Sequence, residues 1–191
     1  AQMEITALPE LGLPLSREAR GGLLARWTLP SGETLWVLVV HLKSGCRGGV
    51  LDKPAACKAL TAQGQLLGAY LDKWQQVGAP LIILGDFNRD LDGEAQACAA
   101  GHCPVGSLWP ALDRHGLRRA TAGFRLPSGC YPPRYGPAPI DHILLSGSLI
   151  GKVVSGSLRA HPFLLPDGRG VYAEAPAYLS DHCPLSLRLR W

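Results

Sequence analysis

Four short stretches of this chain set acidic, amide or imidazole groups beside runs of apolar residues. They are Val40-His41-Leu42, Gly85-Asp86-Phe87-Asn88, Ile140-Asp141-His142-Ile143 and Leu179-Ser180-Asp181-His182-Cys183-Pro184. Such residues supply the parts for metal-assisted cleavage of a phosphate ester. Carboxylates ligate a hard cation or accept a proton, an amide donates to a phosphate oxygen, and an imidazole stabilises or protonates the departing group.

Asp86 and Asn88 stand two residues apart, so an extended backbone would place both on one face. Asp86 would then accept from an attacking water and Asn88 would donate to the phosphate. Alone, the pair reads equally as an Asp/Asn turn after a strand. Asp181 suits Mg²⁺, which takes one or two carboxylates and keeps several waters. The adjacent His182 needs a group to fix its tautomer, and Asp141 is the candidate. His41 ends an apolar run and could meet the phosphate as a second imidazole, although a lone histidine reads first as structural. The occurrence of all four together, each at a strand end, favours a site.

The elements that must hold these groups follow from periodicity. The chain opens as loop and then forms a hairpin, Leu23–Leu29 and Thr34–Val40, turning at Pro30-Ser31-Gly32-Glu33. The continuous apolar run Val37–Val40 predicts a central strand covered on both faces. Asp52 is placed to cap the next helix, with Pro54 in its first turn. Ala56, Leu60, Gln63, Leu67, Tyr70 or Leu71, and Trp74 recur at helical spacing, and Gly78-Ala79-Pro80 stops the helix. Leu81–Leu84 is a buried strand. A helix is predicted around Leu108–His115, with strands at Ile140–Leu145, Lys152–Arg159 and Leu185–Leu189. Residues 1–191 read as a single domain of mixed α and β.

Composition bounds the class. With 191 residues, 47% of them hydrophobic, the chain can bury a core. Its longest purely apolar run, Leu35–Val40, is far short of a membrane span, and no signal peptide is visible. The net charge of +4 is compatible with a polyanionic partner but mild. The basic groups Arg118-Arg119 and Arg188/Arg190 read as solvated charges. Of the 6 cysteines none forms a Cys-x-x-Cys pair, which argues against structural zinc. Cys46/Cys57 and Cys98/Cys103 flank Gly-containing loops and are balanced between local disulfides and buried thiols. Cys183 reads as a small buried hydrophobe. The even count leans weakly toward an exported protein.

The four motifs, in this order, resemble the endonuclease/exonuclease/phosphatase (DNase I-like) superfamily over nearly the whole chain. The resemblance implies a four-layer α/β sandwich, two packed β-sheets flanked by helices, and a Mg²⁺- or Mn²⁺-dependent phosphoesterase. It implies that Asp86 orients the nucleophilic water and adjoins the metal, and that Asn88 contacts the phosphate. It further implies that Asp181 helps bind the metal, that Asp141 and His182 act at the scissile phosphate, and that His41 is a second phosphate-contacting histidine. A nuclease-like phosphodiesterase is the first expectation. A sphingomyelinase or phospholipase C-type enzyme, or an inositol-phosphate phosphatase, is the alternative.

Two family features are missing: a strand-borne metal-proximal Asn and a Gln-Glu whose Glu is the main metal ligand. Glu4, Glu10 and Glu18 lie in segments that do not resemble it. The chain therefore reads as the C-terminal portion of a domain lacking on the order of 80–100 residues, a few strand–helix units. On that reading it needs the absent half-sheet or a partner chain, and a non-catalytic domain is the rival from another class.

Overall fold

The computed structural model describes residues 2–8, 20–46, 53–104, 106–127, 130, 138–163, 180 and 182–191. They divide into two compact units, one formed by residues 1–122 and 140–150, the other by 123–139 and 151–191.

The first unit is a six-stranded mixed sheet: β1 (Gln2–Leu8), β2 (Gly22–Thr28), β3 (Thr34–His41), β4 (Leu81–Asp86), β5 (Arg118–Arg119) and β6 (Asp141–Leu145). Their spatial order is β1-β2-β3-β4-β6-β5. Only β3 and β4 run parallel, because the long helix α1 (Pro54–Val77) carries the chain back between them. The helices α2 (Leu91–Ala99), α3 (Trp109–Asp113) and α4 (Gly147–Ile150) complete this unit.

Helix α1 forms where the periodicity places it. Pro54 begins it and Gly78, at φ 66°, ends it by donating its N–H to Trp74 O. The N-cap is Lys53, with no side-chain cap; Asp52 lies outside the described residues. Leu60, Leu67 and Leu71 on one stripe pack against Leu38, Val40, Ile83 and Leu144 of the sheet. Full burial of each such side chain stabilises by about 1.5–3 kcal/mol.

The opening segment is not a loop. Gln2–Leu8 pairs along its whole length with β2, from Gln2↔Thr28 to Leu8↔Gly22. Its alternation of Met3, Ile5 and Ala7 with Gln2, Glu4 and Thr6 is strand-like, but the prolines that follow obscure it. Strand β3 is central in the sheet, yet it is not covered on both faces: Leu38 and Val40 are buried, whereas Val39 is 37% exposed. Met3, Ile5, Leu23 and Trp27, on the same face as Val39 by register, are also exposed.

The second unit holds a two-stranded ladder, β7 (Arg159–Ala160) with β8 (Leu185–Ser186). The predicted strands Lys152–Arg159 and Leu185–Leu189 are reduced to this ladder and an isolated bridge, Val153↔Leu189. The turn at Gly156, with φ 65°, interrupts the first of them. Trp191 stacks under Lys152.

Three disulfides join Cys46–Cys57, Cys98–Cys103 and Cys130–Cys183. The reading of Cys183 as a buried thiol is thus corrected: it is buried because it is bonded to Cys130, 53 residues away in sequence. Local spacing cannot reveal such a partner. Among the described residues no helix is long and apolar enough to cross a membrane.

Candidate active site

The site is assembled at one end of the six-stranded sheet, where β3 and β4 end and β6 begins. The register pairs His41 with Asp86 and Asp86 with Asp141. Residues in register share a face, and these three lie on the face opposite Val40 and α1. Phe87 N–H donates to Ile140 O at 2.9 Å just beyond this row, which makes Asp86 and Asp141 a non-hydrogen-bonded pair. Side chains approach most closely at such positions. A carboxylate oxygen of Asp86 lies within 4.8 Å of one of Asp141, and His41 Nε2 is 3.4 Å from Asp86 Oδ2.

Gly85 permits this row. It has φ 132°, and a Cβ built there would sit 2.0 Å from Val40 O. Any side chain at this position would push β4 from β3 and break the register that aligns His41 with Asp86.

Asn88 holds Asp86. Its backbone N–H donates to Asp86 Oδ1 at 2.7 Å, and its Nδ2 donates to Asp86 Oδ2 at 2.8 Å and to Leu42 O at 2.9 Å. The two residues are not brought together by extended alternation, as the two-residue spacing suggested. Asn88 takes φ 53°, a left-handed conformation that asparagine tolerates better than most residues, and the chain folds back as an Asx turn. The result is a carboxylate fixed through both oxygens.

Behind the turn lies a buried network. Arg89, 1% exposed, is ion-paired with Glu94, 3% exposed, and donates from Nη1 to Cys46 O at 2.8 Å. Glu94 Oε2 accepts from Leu108 N–H at 2.8 Å and Trp109 N–H at 2.9 Å, so one carboxylate closes the start of α3 as well. His142 lies on the α1 face, next to Asp141 in the chain. Its Nε2 donates to Arg89 O at 2.8 Å and its Nδ1 faces Thr121 Oγ1 at 2.9 Å. With the ring neutral and Nε2 donating, the Thr121 hydroxyl donates to Nδ1. Burial pushes His142 below the usual imidazole range, against weaker opposing effects of the Arg89 carbonyl and nearby carboxylates.

These supporting groups were not visible as such in the sequence. Arg89 follows Asn88 directly, but its partner Glu94 and its acceptor at Cys46 are set by tertiary packing. Arg119, read as a solvated charge, instead lies 3.9 Å from the Trp109 ring centre and donates to Leu91 O at 3.0 Å. Its Nε is 2.9 Å from Asp92 Oδ1, an ion pair by distance whose angle falls outside hydrogen-bond geometry.

The structure thus brings together His41, Asp86, Asn88 and Asp141. His182 belongs to the second unit, where its N–H donates to Ser180 Oγ at 3.0 Å and the next residue is tethered by Cys130–Cys183. Asp181 lies outside the described residues.

Residues 15–182 match the model of the Endonuclease/Exonuclease/phosphatase family. No curated protein matches this chain. Among solved structures, the chain is similar to a 3'-5' exonuclease (NExo) from Neisseria meningitidis at 22% identity and TM-score 0.58, covering 100% of this chain and 71% of that one. It is similar to TDP2 from D. rerio, complexed with a single-strand DNA product, at 19% identity and TM-score 0.54, covering 100% and 68%. It is also similar to the human Nocturnin catalytic domain at 19% identity and TM-score 0.51, covering 97% of this chain and 59% of that one. At these identities the likeness is one of fold.

Proposed function

Because the chain belongs to the endonuclease/exonuclease/phosphatase family, with its DNase I-like α/β fold, we propose that it is a divalent-metal-dependent phosphoesterase acting on nucleic acid as a phosphodiesterase. The observation that carries this reading is the in-register row of His41, Asp86 and Asp141 at one end of the sheet. Carboxylates directly opposite each other repel, and hard oxygen donors suit Mg²⁺ or Mn²⁺ rather than a soft metal. The residues present therefore fit such an ion, with Asp86 and, from the sequence motif, Asp181 as the groups that would hold it. A bound cation would polarise the phosphoryl oxygens and stabilise the charge that develops on them.

The remaining work falls to side chains. Asp86, oriented through Asn88 before the reaction begins, takes the proton of the attacking water. Asn88 contacts the phosphate with an N–H that here goes to Asp86 or Leu42. His41 and His182 bind the phosphate and stabilise the departing oxygen, and Asp141 holds the tautomer of His182. The family match runs across both units, which supports reading residues 1–191 as part of one domain.

Nucleic acid is favoured over lipid or inositol phosphates by the net charge of +4 and by fold likeness to proteins described as an exonuclease and as a complex with DNA product. The test offers plasmid DNA, single-stranded oligonucleotides, sphingomyelin and inositol polyphosphates side by side, with Mg²⁺, Mn²⁺ or chelator. Metal-dependent cleavage of nucleic acid, abolished by chelator and in Asp86→Asn and His182→Ala, is the expected result. Cleavage of lipid or inositol phosphate alone would move the substrate class. Retained activity in both variants, or no hydrolysis of any substrate, would overturn the enzymatic reading in favour of a non-catalytic domain.

A further inference from the structure

One cation at this end of the sheet has no part in the reading above. The register Leu23↔Val39 brings the residues just before β2 to the end of β3. Arg20, exposed, therefore arrives beside His41. Its Nη1 contacts both ring nitrogens, Nε2 at 2.9 Å. Among the described residues this imidazole is the hydrogen-bond partner of the guanidinium. The same ring sits 3.4 Å from Asp86.

A guanidinium only donates and stays positive, so a ring nitrogen facing it must act as acceptor. A neutral imidazole is a modest partner for a permanent cation. A phosphoryl group is a far better one, because its anionic oxygens match the planar fork bidentately. The row His41-Asp86-Asp141 has two carboxylates beside one another, so fixed positive charge next to it, in addition to a bound cation, favours an anionic substrate. Arg20, in contact with His41, is placed to supply that charge. Gly21 alone separates it from Gly22, where β2 begins.

We infer that Arg20 is a phosphate-contacting residue of this site: it exchanges the His41 ring for an oxygen of the substrate phosphoryl group, and His41 contacts the same phosphate beside it. The inference rests on the phosphoesterase reading for its substrate, but its binding arm stands apart from turnover.

The experiment measures inorganic phosphate binding by calorimetry, and KM and kcat on the substrate the wild type cleaves, for Arg20→Ala and Arg20→Lys. Arg20→Ala should weaken phosphate binding and raise KM about 10- to 100-fold, the range for losing charge-assisted hydrogen bonds, with a smaller change in kcat. Arg20→Lys should recover part of the loss, and the melting temperature should hold because the side chain is exposed. In a His41→Ala background, Arg20→Ala should still weaken phosphate binding. Unchanged phosphate affinity in Arg20→Ala, or no further loss in the His41→Ala background, would overturn the contact. If the wild type hydrolyses nothing, the phosphoesterase reading fails, and phosphate binding alone still decides the role of Arg20.

Discussion

Asp86 and Asp141 face each other across β4 and β6, with carboxylate oxygens within 4.8 Å on the sheet face away from α1. Folding therefore sets two like charges side by side, an arrangement that weakens a sheet. Asp86 is compensated by two N–H donors from Asn88. Both carboxylates lie at a place where the strands themselves are held by the core.

On the metal-dependent reading, these paired carboxylates should make stability depend on divalent cations. Mg²⁺ at about a hundred times its dissociation constant should stabilise the protein by about 2.7 kcal/mol, raising Tm by roughly 5–10 °C. Asp86→Asn should lose most of this shift and fall about 10²- to 10⁴-fold in kcat. A full Mg²⁺ shift in Asp86→Asn would remove Asp86 from the ligand set. Differential scanning fluorimetry with and without chelator reads it directly.

Asn88 should separate backbone from side-chain roles. Asn88→Ala loses the donors to Leu42 and Asp86 and keeps the left-handed strain, which should cost about 2–4 kcal/mol in denaturant unfolding. Asn88→Gly relieves the strain and should lose less stability, yet it should match Asn88→Ala in lost kcat, because in both variants Asp86 keeps only the backbone N–H donor and loses the one to Oδ2. If Asn88→Gly restores activity, the residue serves only the turn.

His142 predicts an acid sensitivity. Its imidazole is held neutral in the folded protein, below the usual range, chiefly by burial. The unfolded chain takes up a proton near pH 6.5 that the folded chain resists. Its contribution is therefore intact above about pH 6.5 and declines as pH falls toward the folded value, then levels off. Unfolding free energy measured from pH 7.5 to 5 should fall, and His142→Gln should show a shallower slope. Parallel slopes would assign the acid loss to other groups.

Glu94 should be among the most sensitive positions outside the reacting row. Glu94→Ala leaves Arg89 buried without its carboxylate and frees the N–H groups of Leu108 and Trp109, so a loss of about 3–5 kcal/mol is expected. A loss below about 1 kcal/mol would mean that other groups satisfy Arg89.

The chain's own order of residues determined a good deal. Helix α1 was legible because Ala56, Leu60, Gln63, Leu67 and Leu71 carry the helical period between Pro54 and Gly78, and local periodicity needs no tertiary partner. Strand β4 and the turn at Gly85-Asp86-Phe87-Asn88 were legible for the same reason, and the motif order pointed to the family. Only the tertiary structure decided which groups meet. The alignment of His41, Asp86 and Asp141 is a matter of strand register between segments far apart in sequence. The Arg89–Glu94 pair, the Arg20–His41 contact and the Cys130–Cys183 bond likewise depend on partners that no local pattern specifies. Propensity acts along the chain, whereas register, burial and charge pairing act across it.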